Sequence, residues 1–390
     1  MRKKKLLLLS SYGGYGHIAA ANTLKKLLGE TYDIEVVYPI KELRMFKLPA
    51  GENFYNWLIS NNLNGLTNWV VRLLPAKLFA NRTEKTTRLI RDHIQSKKAD
   101  IVVSLIPFVN YPASEAARQC DVPFLVITTD NDLTNWVFNL GKMDVSKFKV
   151  TYGFNLETTK GLLTRKGISE NAMEQLGLPL RPDFIDTEDK KTLRAKYEIP
   201  EGKNVVLIMM GGAGSRVTVK YVKALIARSM NLHVLVCAGR SRHLARKLKS
   251  LTPATGNALD VIPFTEKVHE LLALSDLLLT KPGPGSINEA YALKLPILLD
   301  HTKPPLFWEQ ANIDLVMRDG VGACIDQIKD TPDLVGRFLF DEQTREQVLR
   351  AYEAVPENRF ATAIPELIGE MLEVPATGEV VVTGRNMSRF

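Results

Sequence analysis

Short apolar runs that end in glycine turns and reopen as helices are the feature of this 390-residue chain that most limits its fold. The clearest is Leu277-Leu278-Leu279-Thr280-Lys281-Pro282-Gly283-Pro284-Gly285-Ser286-Ile287-Asn288-Glu289-Ala290. A strand stops at a Pro/Gly turn, and the turn opens a helix carrying Ser286 and Glu289 in its first turn. A helix start offers unbonded backbone N–H groups and the positive end of the helix dipole, which suits a diphosphate. A carboxylate one turn in can accept the two hydroxyls of a ribose. Near the start, Gly13-Gly14-Tyr15-Gly16-His17 makes a second glycine turn after the apolar run Lys5–Ser10. One such turn in each half points to an enzyme that works in a cleft on a nucleotide-activated group.

The first half alternates strands and helices. Lys5–Ser10, Ile34–Tyr38, Ile101–Leu105 and Phe124–Thr128 read as strands, and Ile18–Leu28, Thr83–Lys97 and Pro112–Gln119 as helices. Strands that are apolar throughout belong to a parallel sheet covered on both faces. Ligands of such sheets lie beyond the carboxyl ends of the strands. His17, Pro107 and Asp130 each follow a strand, which places them at one crevice. After Leu178-Pro179-Leu180-Arg181-Pro182 a second series begins, with strands expected at Val205–Met209, His233–Ala238, Leu259–Ile262, Leu277–Thr280 and Pro296–Leu299. The turn Gly211-Gly212-Ala213-Gly214-Ser215 follows the first of these, but its glycines do not fit G-x-G-x-x-G. The expected organisation is an N-terminal domain over 1–182, a linker over 183–203, a nucleotide-binding domain over 204–340, helices over 341–372 and a loosely held tail over 373–390.

Length alone favours two domains. With 45% hydrophobic and 24% charged residues the composition is that of an ordinary globular chain, and 51 Lys+Arg against 43 Asp+Glu leave a net charge of +8. That mild excess fits anionic headgroups or phosphate-bearing ligands. Zinc-finger spacing, RNP motifs and helix-turn-helix signatures are missing, which argues against nucleic acid. Cys120, Cys237 and Cys324 are far apart in apolar settings, so buried thiols in a reducing cytosol are expected, not disulfides or metal ligands. No run approaches the roughly 18 apolar residues of a membrane span. Leu6–Leu9 is too short for the apolar core of a signal peptide and reads as a buried strand. Any membrane contact is therefore expected to be peripheral.

The segment 46–80 breaks the alternation. It holds Phe46, Phe54, Tyr55, Trp57, Trp69 and Phe79, with Lys47, Arg72 and Lys77 among them. One reading is an insertion packed on its own domain. The other is an aromatic and basic flap that binds an apolar acceptor or sits in a membrane interface, where Trp, Leu and Lys/Arg at helical spacing are favoured.

Several short motifs then fall in one order: Tyr12-Gly13-Gly14-Tyr15-Gly16-His17 with Ala19-Ala20-Ala21 and Leu24; Thr128-Thr129-Asp130 with Trp136; Gly177-Leu178-Pro179-Leu180-Arg181-Pro182; Met210-Gly211-Gly212; Cys237-Ala238-Gly239-Arg240; Phe264; Lys281 to Ala290; Pro296; and Glu309 with Asn312. On these, over about residues 5 to 370, the chain resembles the GT-B glycosyltransferases typified by monogalactosyldiacylglycerol synthase and bacterial diacylglycerol glucosyltransferases. The peptidoglycan enzyme that adds N-acetylglucosamine to lipid I is a more distant relative. The resemblance implies an α/β GT-B fold: two Rossmann-like domains with a central cleft, and a C-terminal helix crossing back to the first. It implies inverting transfer of a hexose from a UDP-sugar to a lipid hydroxyl, diacylglycerol foremost, by a peripheral enzyme on the anionic inner face of the membrane, facing the cytoplasm. The UDP-sugar is a substrate; no cofactor and no metal are implied.

The same resemblance distributes roles. His17 becomes the base that takes the acceptor's proton, which suits a neutral imidazole; the lesser reading of the residues alone is a histidine that caps its helix. Asp130 becomes a second acid/base or a ligand of the acceptor hydroxyl. Tyr15, Trp57, Trp69 and Trp136 are the acceptor-side candidates. Glu289 takes the ribose, Gly283, Pro284, Gly285 and Ser286 the diphosphate, and the backbone around Phe264 the uracil. Gly16, Gly211 and Gly212 are further donor-side candidates, the last two letting backbone approach the diphosphate or the cleft. Arg240 reads as a phosphate ligand, a wall of the uracil pocket or a surface ion-pair partner. Glu309 and Asn312, which share a helix face, and the position before them bind the hexose hydroxyls.

Three departures from the family pattern matter. Plant members carry an acid where this chain has Tyr12, so the base must be His17 or Asp130. The family's histidine shortly before the Trp is absent from Thr134-Asn135-Trp136, which leaves the acceptor open. Trp308 replaces the Gln of plant galactolipid synthases, which leaves the donor hexose open. A metal–diphosphate role for Asp130-Asn131-Asp132, as in GT-A enzymes, does not fit a donor motif that lies elsewhere. The other readings are a different acceptor (a lipid-linked intermediate or a small molecule), a UDP-N-acetylglucosamine 2-epimerase-like isomerase, and a non-catalytic UDP-sugar sensor.

Overall fold

The computed structural model describes residues 2–12, 15–43, 58, 63–69, 83–137, 147–212 and 214–372, the Tyr15 side chain excepted. Trp57, the turn glycines Gly13 and Gly14, most of the 46–80 segment and the tail over 373–390 lie outside these residues. In the first half the order is β1 (Lys5–Leu9), α1 (Tyr15–Leu28), β2 (Asp33–Val37), α2 (Thr83–Lys97), β3 (Ile101–Ser104), α3 (Asn110–Gln119), β4 (Phe124–Ile127), β5 (Phe148–Tyr152) and β6 (Met173–Gln175). In the second half it is α4 (Lys190–Lys196), β7 (Asn204–Met209), α5 (Val217–Ile226), β8 (Leu232–Cys237), α6 (Arg242–Lys249), β9 (Ala258–Ile262), α7 (Val268–Ala273), β10 (Leu277–Thr280), α8 (Pro284–Ala292), β11 (Ile297–Asp300), α9 (Gln310–Asp319) and β12 (Gly322–Ile325). The chain then runs through α10 (Thr331–Phe340), α11 (Glu342–Glu353) and α12 (Phe360–Met371).

The strands form two six-stranded sheets, ordered β2-β1-β3-β4-β5-β6 and β12-β11-β10-β7-β8-β9, and the pairings are parallel. Strand β1 shows why. Leu6 to Leu9 are fully buried, and a strand alternates its side chains between two faces. Leu7 and Leu9 pack with Ile90, Ile94, Ala113 and Ala116 of α2 and α3. Leu6 and Leu8 pack with Ala20 and Leu24 of α1 and with Phe360, Ile364 and Ile368 of α12. The C-terminal helix therefore crosses back onto the first domain, as expected. Each such side chain contributes about 2 kcal/mol when taken out of water.

Strand order reverses between β1 and β3 in the first sheet and between β7 and β10 in the second. Crevices open at such switch points, beyond the carboxyl ends of the strands. The segments that directly follow β1, β4, β7 and β10 carry His17 (in the first turn of α1), Asp130, Gly211 and Gly283. The stretch 183–203, expected as a linker, is part of the second domain: Phe184, Leu193 and Ile199 lie in its core. Lys190 and Arg194 of α4 pair with Asp276. Cys237 is buried as expected, but Cys120 and Cys324 are only half-buried, since each sits at an edge of its layer; all three are free. Burial above all raises each thiol above its usual range, Cys237 to about 12, so none is a standing thiolate. Among the described residues no helix is long and apolar enough to cross a membrane.

Candidate active site

On the first domain, α1 begins directly after the β1 turn and brings His17 in its first turn to the loop after β4. The Thr129 hydroxyl lies 3.2 Å from His17 Nδ1 and favours the ionised form of the neighbouring Asp130 carboxylate. Trp136 donates from Nε1 to Asp130 Oδ2 at 3.4 Å, and its ring centroid is 6.2 Å from that of His17. Burial holds the imidazole well below its ordinary value, at about 4, against a hydrogen bond with the Leu105 backbone that favours the charged form. Burial pushes the Asp130 carboxyl up to about 7; the Trp136 and Thr129 hydrogen bonds oppose this, and the charges of Asp132 and Glu309 add to it. A single proton shared by this pair therefore resides on Asp130, and the imidazole is neutral.

Other expected residues fall differently. Trp136 is 2% exposed, so it braces Asp130 and presents no open ring to an acceptor. Asp132 turns into its own loop and accepts from Thr134 N and Oγ1 at 2.8 and 2.6 Å, so the Asp-Asn-Asp run does not present two carboxylates to one point. Gly16 sits in α1 with open space beside its Cα, next to His17 and not on the donor domain. Tyr15 opens the same helix. Tyr12 stacks on Tyr38 with ring centroids 4.2 Å apart, and Lys41 Nζ lies 5.0 Å over the Tyr12 ring. Trp69 stands apart, 61% exposed, with Leu66 at 46%, on the helical residues 64–69 of the flap.

On the second domain, Gly283 is the N-cap of α8, with no side-chain cap and with Pro284 as first residue. The N–H groups of Gly285 and Ser286 are thus left for a ligand, and Gly285 has open space beside it. Glu289, one turn in, pairs with Arg181 at 3.3 Å. Burial nevertheless pushes its carboxyl up to about 7, since the Arg181 pairing offsets only part of the desolvation. Arg181 also donates to the Glu266 carbonyl at 2.9 Å, tying the carboxylate to the loop after β9. In that loop the Phe264 ring is 43% exposed, and the Arg240 guanidinium stacks over it at 4.3 Å. The Gly211-Gly212 turn is stitched to the β8 end, since Arg240 N donates to Gly212 O at 3.0 Å. Gly239 there has φ +61°, and a Cβ on it would lie 2.5 Å from Gly212 O; the two loops come this close because neither carries a side chain.

The hexose candidates close the site. Glu309 is 4% exposed; it accepts from Lys281 Nζ at 3.4 Å and from Leu306 N at 3.3 Å. Its charge is felt by Asp130 across the cleft. Asn312 is fully buried, donating to Pro282 O at 2.9 Å and accepting from Asn131 Nδ2 at 2.9 Å. Its amide links the two domains, each polar end carrying one of these bonds. Trp308 meets Phe307 edge to face at 4.8 Å.

Residues 205–299, which hold the Gly211 turn, Arg240, Phe264 and Glu289, match the Glycosyltransferase family 28 C-terminal domain. A processive diacylglycerol beta-glucosyltransferase of Bacillus cereus is 24% identical over 333 residues, covering 82% of this chain and 83% of its own. One from Bacillus cytotoxicus is 24% identical over 387 residues, covering 95% and 94%. Among solved structures, Acinetobacter baumannii MurG shares the fold with a TM-score of 0.63 at 15% identity, over 94% of this chain and 99% of that one. The chain has the GT-B fold and is a glycosyltransferase, similar in sequence to diacylglycerol glucosyltransferases.

Three contributors to this glycosyltransferase's cleft stand inside the quoted motifs but were given no role there. Thr129 joins the imidazole to the carboxylate, and Arg181 holds Glu289. Lys281 runs along the glycine turns, its Cε lying 3.4 and 3.5 Å from where Cβ atoms of Gly211 and Gly283 would stand. The signal for Lys281 was present: a lone cation between a buried strand and a helix start belongs beside an anion.

Proposed function

We propose that this glycosyltransferase transfers a hexosyl group, with inversion, from a UDP-sugar to a lipid hydroxyl, most simply that of diacylglycerol. The observation that carries the reading is the pair of unlike sites facing one cleft: an uncapped helix start with Glu289 one turn in, and the His17–Thr129–Asp130 cluster opposite. In this reading Glu289 accepts the ribose hydroxyls, and the Phe264–Arg240 stack offers a flat face to uracil. The α8 N–H groups and Lys281 meet the diphosphate and stabilise the charge that builds on it as it leaves. Glu309 holds the hexose. The acceptor hydroxyl attacks from the side opposite the leaving group and gives its proton to neutral His17. Ionised Asp130, acting through the Thr129 hydroxyl, stabilises the imidazolium that forms.

A lipid acceptor is supported by the names of the relatives and by the outward Leu66 and Trp69 on the flap, a pair suited to an interface. Peripheral association with an anionic membrane surface on the cytoplasmic side belongs to the same proposal, as does metal independence. The test is UDP release from UDP-glucose, UDP-galactose and UDP-N-acetylglucosamine with and without diacylglycerol vesicles. Release with one donor that needs the vesicles is expected. Turnover indifferent to vesicles would instead fit an isomerase or a soluble acceptor, and UDP binding without turnover a sensor.

A further inference from the structure

The segment that leads into Glu309 is held by the opposite domain. Residues 64–69 are helical, and Asn64 and Asn68, one turn apart, share a face. Asn64 Nδ2 donates to Pro304 O at 3.0 Å, and Asn68 Nδ2 donates to Pro305 O at 3.0 Å. Asn68 Oδ1 accepts from Phe307 N at 3.0 Å. Both polar ends of the Asn68 amide are thus used on one short stretch, in which two consecutive prolines supply carbonyls but no N–H. That stretch continues into the single turn Phe307–Glu309, whose entry is closed by Leu306 N donating to the Glu309 carboxylate. The grip on Phe307 and the placement of Glu309 therefore belong to one rigid turn.

We infer that Asn64 and Asn68 are positioning residues for the donor sugar: from the acceptor domain's flap they fix the Pro304–Glu309 turn, and through it the Glu309 carboxylate at the hexose. This rests on the proposed function and adds to it that donor-sugar recognition is assembled across the cleft, while recognition of the nucleotide is complete within the second domain. UDP and UDP-hexose should then respond differently to loss of the flap contact.

The experiment uses the full chain with Asn64→Ala and Asn68→Ala combined. Calorimetry with UDP and with each of the three UDP-hexoses is run beside hydrogen exchange of the Phe307 amide. UDP affinity is expected to stay unchanged, affinity for the preferred UDP-hexose to fall about tenfold with the loss of these hydrogen bonds, and Phe307 exchange to accelerate. Glu309→Gln in the same background is expected to add little, because both act through one turn. Equal losses for UDP and UDP-hexose, or an unchanged UDP-hexose affinity, would overturn the inference. Asn64→Ala alone provides a milder version: it loses only the bond to Pro304 O, keeps both Asn68 bonds, and is expected to show a smaller loss of the same selectivity. A wild-type protein that binds neither UDP nor UDP-hexose would overturn the functional reading and the inference together, an outcome distinct from lost selectivity.

Discussion

Replacing His17 by Ala is expected to lower kcat by about 10²–10⁴-fold, the usual worth of a positioned general base, with UDP affinity unaffected because His17 lies on the other domain. The pH dependence separates its role from that of Asp130. With Asp130 at about 7, the carboxyl is protonated below neutrality and cannot stabilise an imidazolium. Measured at saturating donor, where titration of Glu289 in the free enzyme does not enter, kcat should therefore rise about tenfold per pH unit up to about pH 7 and level off above it, as a single ionisation requires. In Asp130→Asn that limb should vanish along with most of kcat. The stability effect has the opposite sign. The folded-state pKa is raised above the unfolded 3.8, so ionising Asp130 costs folding stability progressively as pH climbs from about 4 to about 7. The Asn variant should consequently be at least as stable as wild type at pH 8, and its lost activity would not be a folding defect. A flat wild-type profile, or an Ala variant at position 17 within tenfold of wild type, would remove the base from this account.

Loss of Glu289 is expected to show in binding, not in chemistry. Hydrogen bonds to a charged group contribute about 1.5–3 kcal/mol, which is roughly 10- to 150-fold in affinity. Glu289→Ala should weaken UDP and UDP-hexose by that factor while inhibition by inorganic diphosphate is unchanged. It should also erase the preference for UDP over its 2′-deoxy analogue. Because burial holds Glu289 at about 7, wild-type UDP affinity should strengthen as pH rises through neutrality and the carboxylate forms, a trend absent from the variant. Equal sensitivity to diphosphate would place Glu289 at the wrong part of the ligand.

Much of this architecture is legible from the chain, and the gaps have physical causes. Strands that are buried on both faces, such as Leu6–Leu9 and Leu277–Thr280, announce themselves as unbroken apolar runs. β5, β6 and β12 do not. Phe148–Tyr152 carries Lys149, paired with Glu174 of β6, and Met173–Gln175 has only three residues. Gly322 opens β12 because a Cβ there would sit 2.0 Å from Ile297 O; a close backbone approach erases the apolar signal of a strand. Site residues in tight motifs, His17, Asp130 and Glu289, fall at the cleft where their motifs place them. Burial of Trp136 and the domain-linking use of Asn312 depend on partners far along the chain, which spacing does not reveal. Asn64 and Asn68 are a further case, since their partners lie 237 to 240 positions away.

The central claim is inverting transfer to a lipid hydroxyl in the cleft between Glu289 and His17. Its most direct test is the anomeric configuration of the glycolipid made from an α-linked UDP-hexose and diacylglycerol vesicles, read by NMR. A β-linked glycolipid, lost with His17→Ala, is the result expected. An α-linked product, or donor consumed with no glycolipid formed, would contradict it.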